Sequence, residues 1–378
     1  MIIKNAVVFT AEGRFRKGEL LVQDGRVVRF ADSGTFTEDD VYDANGQYVL
    51  PGFVDTHTHG CVNSDFCDAD AGGLERMLQY YGQQGVTSVV PATMSFNEPI
   101  LEDVLDVALP YFEQEGRGAV LRGVNMEGPF INLSKKGAQN PKYITDPDFE
   151  MFHNLYKKCS GRIRLVDIAP ELPGSLEFTK KASDLCTVSI AHTAANYQQA
   201  VDAFDAGATH VTHLFNAMPP FAHRDPGVIG AASDKAAHVE IISDGFHLHP
   251  SVVRSVFSWF GPQRVCLISD SMRATGMPDG EYSLGGQKVW MKGGKATLED
   301  GTIAGSANNL AECCRRAIGF GIPMEQAIAA ASANPAKAAG LQNEVGSLAP
   351  GLRADIVVWD AALQTKAVFS AGQKITGD

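Results

Sequence analysis

The sequence predicts an α/β protein in which a (β/α)8 barrel is accompanied by a small β-sandwich domain formed from both ends of the chain. Three observations support this prediction. Eight short apolar segments alternate with helix-like segments between residues 51 and 343, as in a barrel of parallel strands. Histidines and carboxylates follow several of these segments. Residues 1–50 and 344–378 instead have the turn-rich, strand-like composition of a β-domain.

The terminal segments are predicted to pair with each other. The first fifty residues contain the strand candidates IIKNAVVFT, GELLVQDGRVVRF and QYVL, with the hairpin signal Asp24-Gly25 in the second. The tail GSLAPGLRADIVVWD is strand-like again and is closest in character to those first fifty residues. We therefore expect residues 1–50 and 344–378 to form one small domain beside a catalytic barrel of residues 51–343.

The barrel is predicted from a repeated strand, loop and helix pattern. Its strand candidates are FVDTHTH, VTSVVPAT, VLRGVNMEG, RIRLVDIAPE, TVSIAHT, HVTHLF, VEIISDG and RVCLISDS. Helix-like segments such as NYQQAVDAFDAG and PSVVRSVFSWFG lie between them. Residues 281–303 carry hairpin chemistry and are interpreted as an insertion after the eighth strand. The segment MEQAIAAASANPAKAAG predicts a helix that breaks at Asn334-Pro335.

The composition is that of a globular enzyme, with 44% hydrophobic and 20% charged residues among 378. No apolar run approaches the ~20 residues of a membrane span, and the first residues do not resemble a signal peptide. A net charge of −12 argues against a nucleic-acid partner. Seven scattered cysteines without a C-x-x-C pair indicate reduced thiols and a cytoplasmic location.

The stretch VLPGFVDTHTHG carries the first chemical signal. His57 and His59 are two residues apart at the end of a buried strand, so both imidazoles point to the same face, as does Asp55 one step earlier. Neutral imidazole is a common ligand of transition metals. The alternative is a pair of surface histidines in a loop, because H-x-H is a weak motif by itself.

Other candidate ligands also follow predicted strands, where barrel enzymes place their active sites. In chain order the polar residues at these ends are His57, His59, Glu127, His192, His213, His247 and Asp270. Each of these alone is explained as readily by a structural role, but their coincidence on one rim favours a centre for Zn²⁺ or Fe²⁺. Asp270 is the candidate base that takes a proton from water and returns it to a leaving group.

The motifs PGFVDTHTHG, MEGPF, AHT, THLFNAM, DGFH and SDSMRATGMPDGEY together resemble the N-acetylglucosamine-6-phosphate deacetylases of the amidohydrolase superfamily. The resemblance covers nearly the whole chain, and EGPF and HLFNAMP are far more specific than H-x-H. It implies two groups of metal ligands: Glu127, His192 and His213 for the main metal, with His57 and His59 completing a second site. It also implies that Asp270 is the general acid and base.

The resemblance further implies how a phosphorylated amino sugar is bound. Asn216 and Ala217 would bind the phosphate through backbone amides, and His247 would contact the sugar. The Pro219-Pro220 pair that follows gives a stiff turn suited to presenting such amides. Arg224 would reach the phosphate in the neighbouring subunit, so the active unit would be a homodimer.

Two positions depart from the family pattern. Gln139 stands where a histidine usually donates to the substrate carbonyl; glutamine can donate through its amide but cannot become cationic. Asp270-Ser271 stands where Asp-Ala is more usual. Either change is compatible with an altered substrate preference or a slower enzyme.

Three functions therefore remain open on the sequence. The first is hydrolysis of the N-acetyl group of N-acetylglucosamine 6-phosphate or its galactosamine counterpart, with one or two metals. The second is a related amidohydrolase acting on a cyclic amide; many of these need a lysine on strand four, and RIRLVDIAPE has none. The third is a non-catalytic barrel subunit, which the joint presence of ligands and base disfavours.

Overall fold

The computed structural model describes residues 1–37, 40–116 and 118–376. Residues 38, 39, 117, 377 and 378, which belong to the predicted domains, lie outside the described residues. The described strands are β1 (Ile2–Phe9), β2 (Phe15–Gln23), β3 (Arg26–Ala31), β4 (Val41–Asp43), β5 (Tyr48–Pro51), β6 (Phe53–Asp55), β7 (Gly60–Cys61), β8 (Ser64–Asp65), β9 (Val86–Val89), β10 (Val120–Leu121), β11 (Val124–Met126), β12 (Ile163–Ile168), β13 (Thr187–Ile190), β14 (His210–Val211), β15 (His238–Ile242), β16 (Val265–Ile268), β17 (Gly280–Leu284), β18 (Gln287–Lys292), β19 (Lys295–Thr297), β20 (Ile356–Trp359), β21 (Thr365–Ser370) and β22 (Gln373–Thr376). The described helices are α1 (Ala71–Gln83), α2 (Glu98–Ala108), α3 (Phe149–Lys158), α4 (Ser175–Ala182), α5 (Tyr197–Asp205), α6 (Gly227–Asp234), α7 (Pro250–Phe260), α8 (Leu310–Gly319), α9 (Met324–Ala331) and α10 (Ala333–Ala338).

Strands from both ends of the chain share one sheet, which we call the terminal sheet. Its order is β22-β21-β20-β5-β1-β2-β3, with β4 pairing to β1. The two ends meet where β5 runs antiparallel to β20, with Leu50 opposite Val357 and Tyr48 opposite Trp359. Apolar side chains of this sheet form a core of their own, because alternate residues of each strand point to the same side.

Each of the eight predicted barrel segments contains a parallel strand. Together we call these parallel strands the parallel sheet. One ladder runs β6-β9-β10 and another runs from β11 to β16 in chain order. An isolated bridge between Ala92 and Asn125 joins the ladders. The end of the last strand lies against the end of the first. The contact between them includes a hydrogen bond from the Asp270 amide to His57 O at 2.9 Å. The predicted α/β class is confirmed, and the parallel sheet curls back on itself.

The helices start where the sequence supplies a capping side chain. Asp70, Asn97, Asp148, Asn196 and Asn309 each accept from backbone N–H groups in the first turn of the helix that follows. These groups have no partner within a helix, so each cap stabilises its helix start by about 1 kcal/mol. Four of these helices connect parallel strands in the chain, and the fifth, α8, follows the last parallel strand and the insertion.

The insertion after the eighth strand is a three-stranded antiparallel sheet of β17, β18 and β19. Its apolar side chains Leu284 and Val289 form one hydrophobic cluster with Met94 and Met272, which lie beyond the ends of two parallel strands. The insertion is thereby anchored at the end of the parallel sheet that carries the predicted site residues.

The predicted break at Asn334-Pro335 is wrong. The interruption falls at Ser332, between α9 and α10, and Pro335 lies in the first turn of α10. Proline is tolerated there because the first N–H groups of a helix have no internal partner.

All seven cysteines have free thiols. Among the helices of the described residues, none has the length and apolar character to cross a membrane.

Candidate active site

The carboxyl ends of the parallel strands open into a cavity of about 560 Å³. The predicted site residues that line it are His59, Glu127, Gln139, His192, His213, Asn216, Ala217, His247 and Asp270. His57 lies beside Glu127, one of these lining residues, but is itself fully buried. Arg224 is different, because it lies on an exposed loop and is not among the described residues that line this cavity.

The backbone is strained where the strands deliver three of these side chains. The φ angles of His192, His213 and Asp270 are 43°, 28° and 47°. L-residues avoid this region, at a cost of order 1–3 kcal/mol, unless the surroundings hold them there. The strain turns side chains that immediately follow parallel strands into one shared space, as is typical of functional sites.

Glu127, His192 and His213 form what we call the first donor group. Glu127 Oε1 lies 3.0 Å from His192 Nε2 and 3.2 Å from His213 Nε2, and the two Nε2 atoms are 3.1 Å apart. His192 Nδ1 donates to Lys135 O at 2.8 Å, so in the neutral ring its Nε2 carries a lone pair. Three electron donors therefore converge, which a bound cation would stabilise.

His57, His59 and Asp270 form the second donor group. Asp270 Oδ1 lies 3.3 Å from His59 Nε2 and 3.8 Å from His57 Nε2. Glu127 contacts this group as well, with Oε1 at 3.5 Å from His57 Nε2 and Oε2 at 3.3 Å from His59 Nε2. Glu127 therefore lies between two potential metal positions.

The spacing of these donor atoms fits a divalent transition metal. With Zn–N bonds of ~2.0–2.1 Å, a tetrahedral site puts neighbouring ligand atoms about 3.3 Å apart. The distances in the first donor group are 3.0 to 3.2 Å. Imidazole and carboxylate are also the ligand types that Zn²⁺ and Fe²⁺ accept. The residues present therefore fit one or two such ions.

The two carboxylates of the centre are held ionised. Burial alone raises the pKa of Glu127, but its contacts with His57, His192 and His213 outweigh this and hold the pKa well below its usual value. Burial also opposes ionisation of Asp270, yet His59 and His57 bring its pKa below the usual value. Asp270 is therefore a carboxylate at neutral pH and can accept a proton.

Gln139 is held by two hydrogen bonds that fix the orientation of its amide. Its Oε1 accepts from the Ser95 amide at 2.7 Å, and its Nε2 donates to Glu127 Oε2 at 2.8 Å. The side chain is buried at the edge of the cavity. An amide has two N–H donors, so one is used on a candidate metal ligand. The predicted contact of Gln139 with a substrate carbonyl stays a prediction.

The cavity lining also includes the predicted phosphate-binding residues. Asn216 and Ala217 line it just before Pro219-Pro220, and the positive φ of 52° at Ala217 turns the backbone sharply there. His247 lies nearby, with Nδ1 2.8 Å from the Asp244 carboxylate. That contact leaves His247 Nε2 as the ring nitrogen available to a ligand.

Asp55 does not join the donor groups, although it was predicted to share the face of His57. It accepts from Ser269 Oγ at 2.5 Å and from the backbone amides of Ser269 and His57. Burial raises the pKa of Asp55 to about 7, even though these hydrogen bonds oppose the shift. Asp55 therefore links the first and last strands of the parallel sheet, two residues before His57 in the chain.

Lys135 and Lys136, which follow MEGPF in the sequence as a candidate source of positive potential, come from the loop after β11 and line the cavity. Asp300 and Thr302, which were not predicted, come from the insertion, so the lining carries both charge signs. Glu240 on β15 is fully buried and lies 3.2 Å from His57 Nδ1. The sequence signal for Glu240 was a charged residue inside the apolar strand VEII.

Comparison with known proteins agrees with this geometry. A model of the amidohydrolase family matches residues 48–376, so the chain belongs to the amidohydrolase family. Members of this family typically depend on a divalent metal. Two sets of buried side chains, which cut across the donor groups, lie close enough together to hold an ion: His57, Glu127 and His213, and His57, His59 and Asp270.

Full-length relatives identify the branch of that family as the N-acetylglucosamine-6-phosphate deacetylases. The chain is 34% identical to N-acetylglucosamine-6-phosphate deacetylase of Bacillus subtilis, over 95% of this chain and 92% of that protein. It is 31% identical to N-acetylgalactosamine-6-phosphate deacetylase of Escherichia coli O157:H7, over 98% of both. A solved variant of the Mycobacterium smegmatis N-acetyl-D-glucosamine-6-phosphate deacetylase, in complex with N-acetyl-D-glucosamine-6-phosphate, superimposes with a TM-score of 0.93 at 33% identity, covering 100% of this chain and 99% of that one.

Proposed function

We propose that this chain hydrolyses the N-acetyl group of N-acetyl-D-glucosamine 6-phosphate, giving acetate and glucosamine 6-phosphate in amino-sugar metabolism. The observation that carries the proposal is that Glu127 contacts both donor groups, the second of which contains the ionised Asp270. The full-length similarity to deacetylases of this substrate supports the same reaction.

The residues have the following proposed roles. Glu127, His192 and His213 hold the main metal, and His57 and His59 complete a second position, with Zn²⁺ favoured over Fe²⁺. A divalent cation there would polarise the acetyl carbonyl and make a water molecule more acidic. Asp270 takes the proton from the attacking water and returns it to the leaving nitrogen, while the C–N bond breaks and the water oxygen stays with acetate.

The substrate is proposed to lie with its acetyl group at the donor groups and its phosphate near Asn216 and Ala217. The Asn216 N–H donates to His213 O at 2.9 Å, so the Ala217 N–H is the backbone donor of this turn that is proposed to bind the anion. Lys135 and Lys136 add positive charge at the mouth of a protein whose net charge is −12. His247 would contact the sugar ring between the two ends.

The proposed reaction is tested by measuring acetate release from a metal-loaded protein. We expect release from N-acetylglucosamine 6-phosphate and much slower release from unphosphorylated N-acetylglucosamine. N-acetylgalactosamine 6-phosphate is the second candidate substrate, since the Escherichia coli relative is named for it. Faster turnover of that sugar would select the second candidate, and no acetate from any of the three would overturn the proposal.

Arg224 is proposed to bind the phosphate across a homodimer interface, which its exposed position outside its own cavity permits. Arg224→Ala should raise the KM for the phosphorylated sugar about 10- to 100-fold, because a charge-assisted hydrogen bond contributes ~1.5–3 kcal/mol. The KM for the unphosphorylated sugar should change little. The exposed Arg16 of the terminal sheet provides the control substitution Arg16→Ala, and an equal loss for both sugars would make Arg224 structural.

Sharing of Arg224 between subunits is tested by mixing variants. Neither the Arg224→Ala protein nor the Asp270→Asn protein has a complete site. A hybrid dimer would combine one intact Asp270 with one intact Arg224 at the same site, so mixing should restore part of the activity. No recovery after confirmed subunit exchange would contradict the shared site.

Gln139 is proposed to donate to the acetyl oxygen as negative charge develops on it. Losing one such donor typically costs ~10²–10³ in kcat, so we expect Gln139→Ala to reduce kcat on that scale with little change in KM. Gln139→His should preserve or raise kcat and add a histidine ionisation to the pH–rate profile. Metal content must be measured in both variants, because the same amide contacts Glu127. A loss of kcat that only parallels loss of metal would assign Gln139 to Glu127 instead.

The proposed architecture has two parts, a catalytic barrel and a small domain formed from both ends of the chain. Residues 51–343 would form the metal-dependent (β/α)8 barrel, supported by the backbone hydrogen bonds that return its last strand to its first. Residues 1–50 and 344–378 would form a small β-sandwich domain, supported by the shared terminal sheet and its separate core. The free thiols and the phosphorylated substrate support a cytoplasmic location.

A further inference from the structure

Glu240 is a buried carboxylate that the proposed reaction does not use. It lies on β15 between the apolar residues Val239 and Ile241, and it is fully buried. Burying a carboxylate is costly unless hydrogen-bonding partners compensate. Its Oε2 lies 3.2 Å from His57 Nδ1, and its Oε1 accepts from Thr56 Oγ1 at 3.2 Å. Its closest ring partner is thus a side chain of the second donor group.

The contact with Glu240 determines which nitrogen of His57 faces the donor groups. An ionised carboxylate only accepts hydrogen bonds, so His57 Nδ1 carries the proton. The Asn125 amide lies 3.4 Å from the same nitrogen, but it donates to Thr56 O at 3.2 Å. In the neutral ring, His57 Nε2 then carries a lone pair. It is buried, and it has no hydrogen-bond partner among the described residues.

His57 Nε2 points at the space between the donor groups, 3.5 Å from Glu127 Oε1 and 3.8 Å from Asp270 Oδ1. In the first donor group, His192 is oriented by a backbone carbonyl, Lys135 O. His57 instead has a carboxylate behind it, which raises ligand basicity more than a neutral carbonyl does. The carboxylate of Glu240 therefore supports a histidine of the second donor group. This is the group for which the sequence did not decide whether a metal is bound.

We propose that Glu240 is a positioning residue that holds His57 Nε2 toward the cavity and thereby makes the second donor group a tight metal site. The inference rests on the metal centre of the proposed function and extends it to the number of ions bound. The simpler alternative is that Glu240 only satisfies buried hydrogen bonds with Thr56 and with His210, whose Nε2 lies 3.9 Å from it.

The inference is tested by metal binding rather than by activity. Metal-free protein is titrated with Co²⁺, and the bound ions are counted by elemental analysis and by their visible absorption bands. We expect two ions per wild-type chain. Glu240→Gln should bind the first ion normally and the second about 10- to 100-fold more weakly, the usual effect of removing a group that supports a ligand. Raising the Co²⁺ concentration should restore the second band, which a misfolded protein would not allow.

Asp167→Asn is the matched control. Asp167 is likewise fully buried in the parallel sheet, but its hydrogen-bond partner is Thr212, which belongs to neither donor group. Burial, together with the charges of Glu127 and Glu240, raises the pKa of Asp167 well above its usual value, so a neutral amide resembles its native state. We expect this variant to bind both ions with wild-type affinity.

Three results would overturn the inference. One is wild-type affinity for both ions in Glu240→Gln and Glu240→Ala, and another is an equal loss in Asp167→Asn. The third is a wild-type chain that binds a single ion. None of these results decides whether the protein is a deacetylase, because the acetate-release assay measures that separately.

Discussion

Asp270→Asn should lower kcat at least ~10²-fold, the lower end of the range for general acid–base catalysis. Asparagine keeps the size of the side chain but cannot accept the proton of the attacking water. The structure supports this role because Asp270 faces the cavity and because its contacts with His59 and His57 hold its pKa below the usual value. The measurement is the rate of acetate release at saturating substrate, together with metal content.

Metal content separates the catalytic role of Asp270 from its position in the second donor group. The first donor group does not include Asp270, so Asp270→Asn should retain at least one ion per chain. Near-normal turnover in a variant that retains this ion would contradict the assignment. Asp167→Asn serves again as the control, because it removes from the same buried interior a carboxyl group whose hydrogen-bond partner, Thr212, belongs to neither donor group.

Glu127→Gln should have the larger effect, because Glu127 contacts both donor groups through different oxygen atoms. An amide offers one weak donor atom where the carboxylate offers two charged ones, so both metal positions should lose affinity. Metal catalysis contributes several kcal/mol, and each 1.36 kcal/mol is tenfold in rate. We therefore expect a loss of more than about 10³-fold in kcat/KM at limiting metal.

The experiment for Glu127 compares metal content and kcat/KM across a range of added Zn²⁺. Partial recovery at high Zn²⁺ is expected, because the histidines of both donor groups remain. A stoichiometric ion and near-normal kcat/KM in Glu127→Gln at low Zn²⁺ would contradict the proposed centre. Removing metal from the wild-type protein by chelation should reproduce the loss, and adding Zn²⁺ back should reverse it.

Local pattern was sufficient to predict most of the parallel sheet and much of the donor set. Strand periodicity predicted that His57 and His59 share a face, although β6 ends at Asp55 and both histidines lie beyond it. The strand ends predicted that Glu127, His192 and His213 would lie on one rim. The residues lie on one rim because carboxyl ends of parallel strands meet at one edge whatever the helices between them do, while their roles stay predictions. The helix break was misplaced for a local reason, since Pro335 suits a first turn as well as a break.

Only the tertiary structure decided which buried groups face each other across the curled sheet. His57 and Glu240 are 183 positions apart in sequence, and their contact depends on strand register and on the last strand returning to the first. The orientation of the Gln139 amide depends in the same way on Ser95, 44 positions away. The residue types at the centre were thus readable from the sequence. Their hydrogen-bond partners were not, because long-range register has no signature in local periodicity.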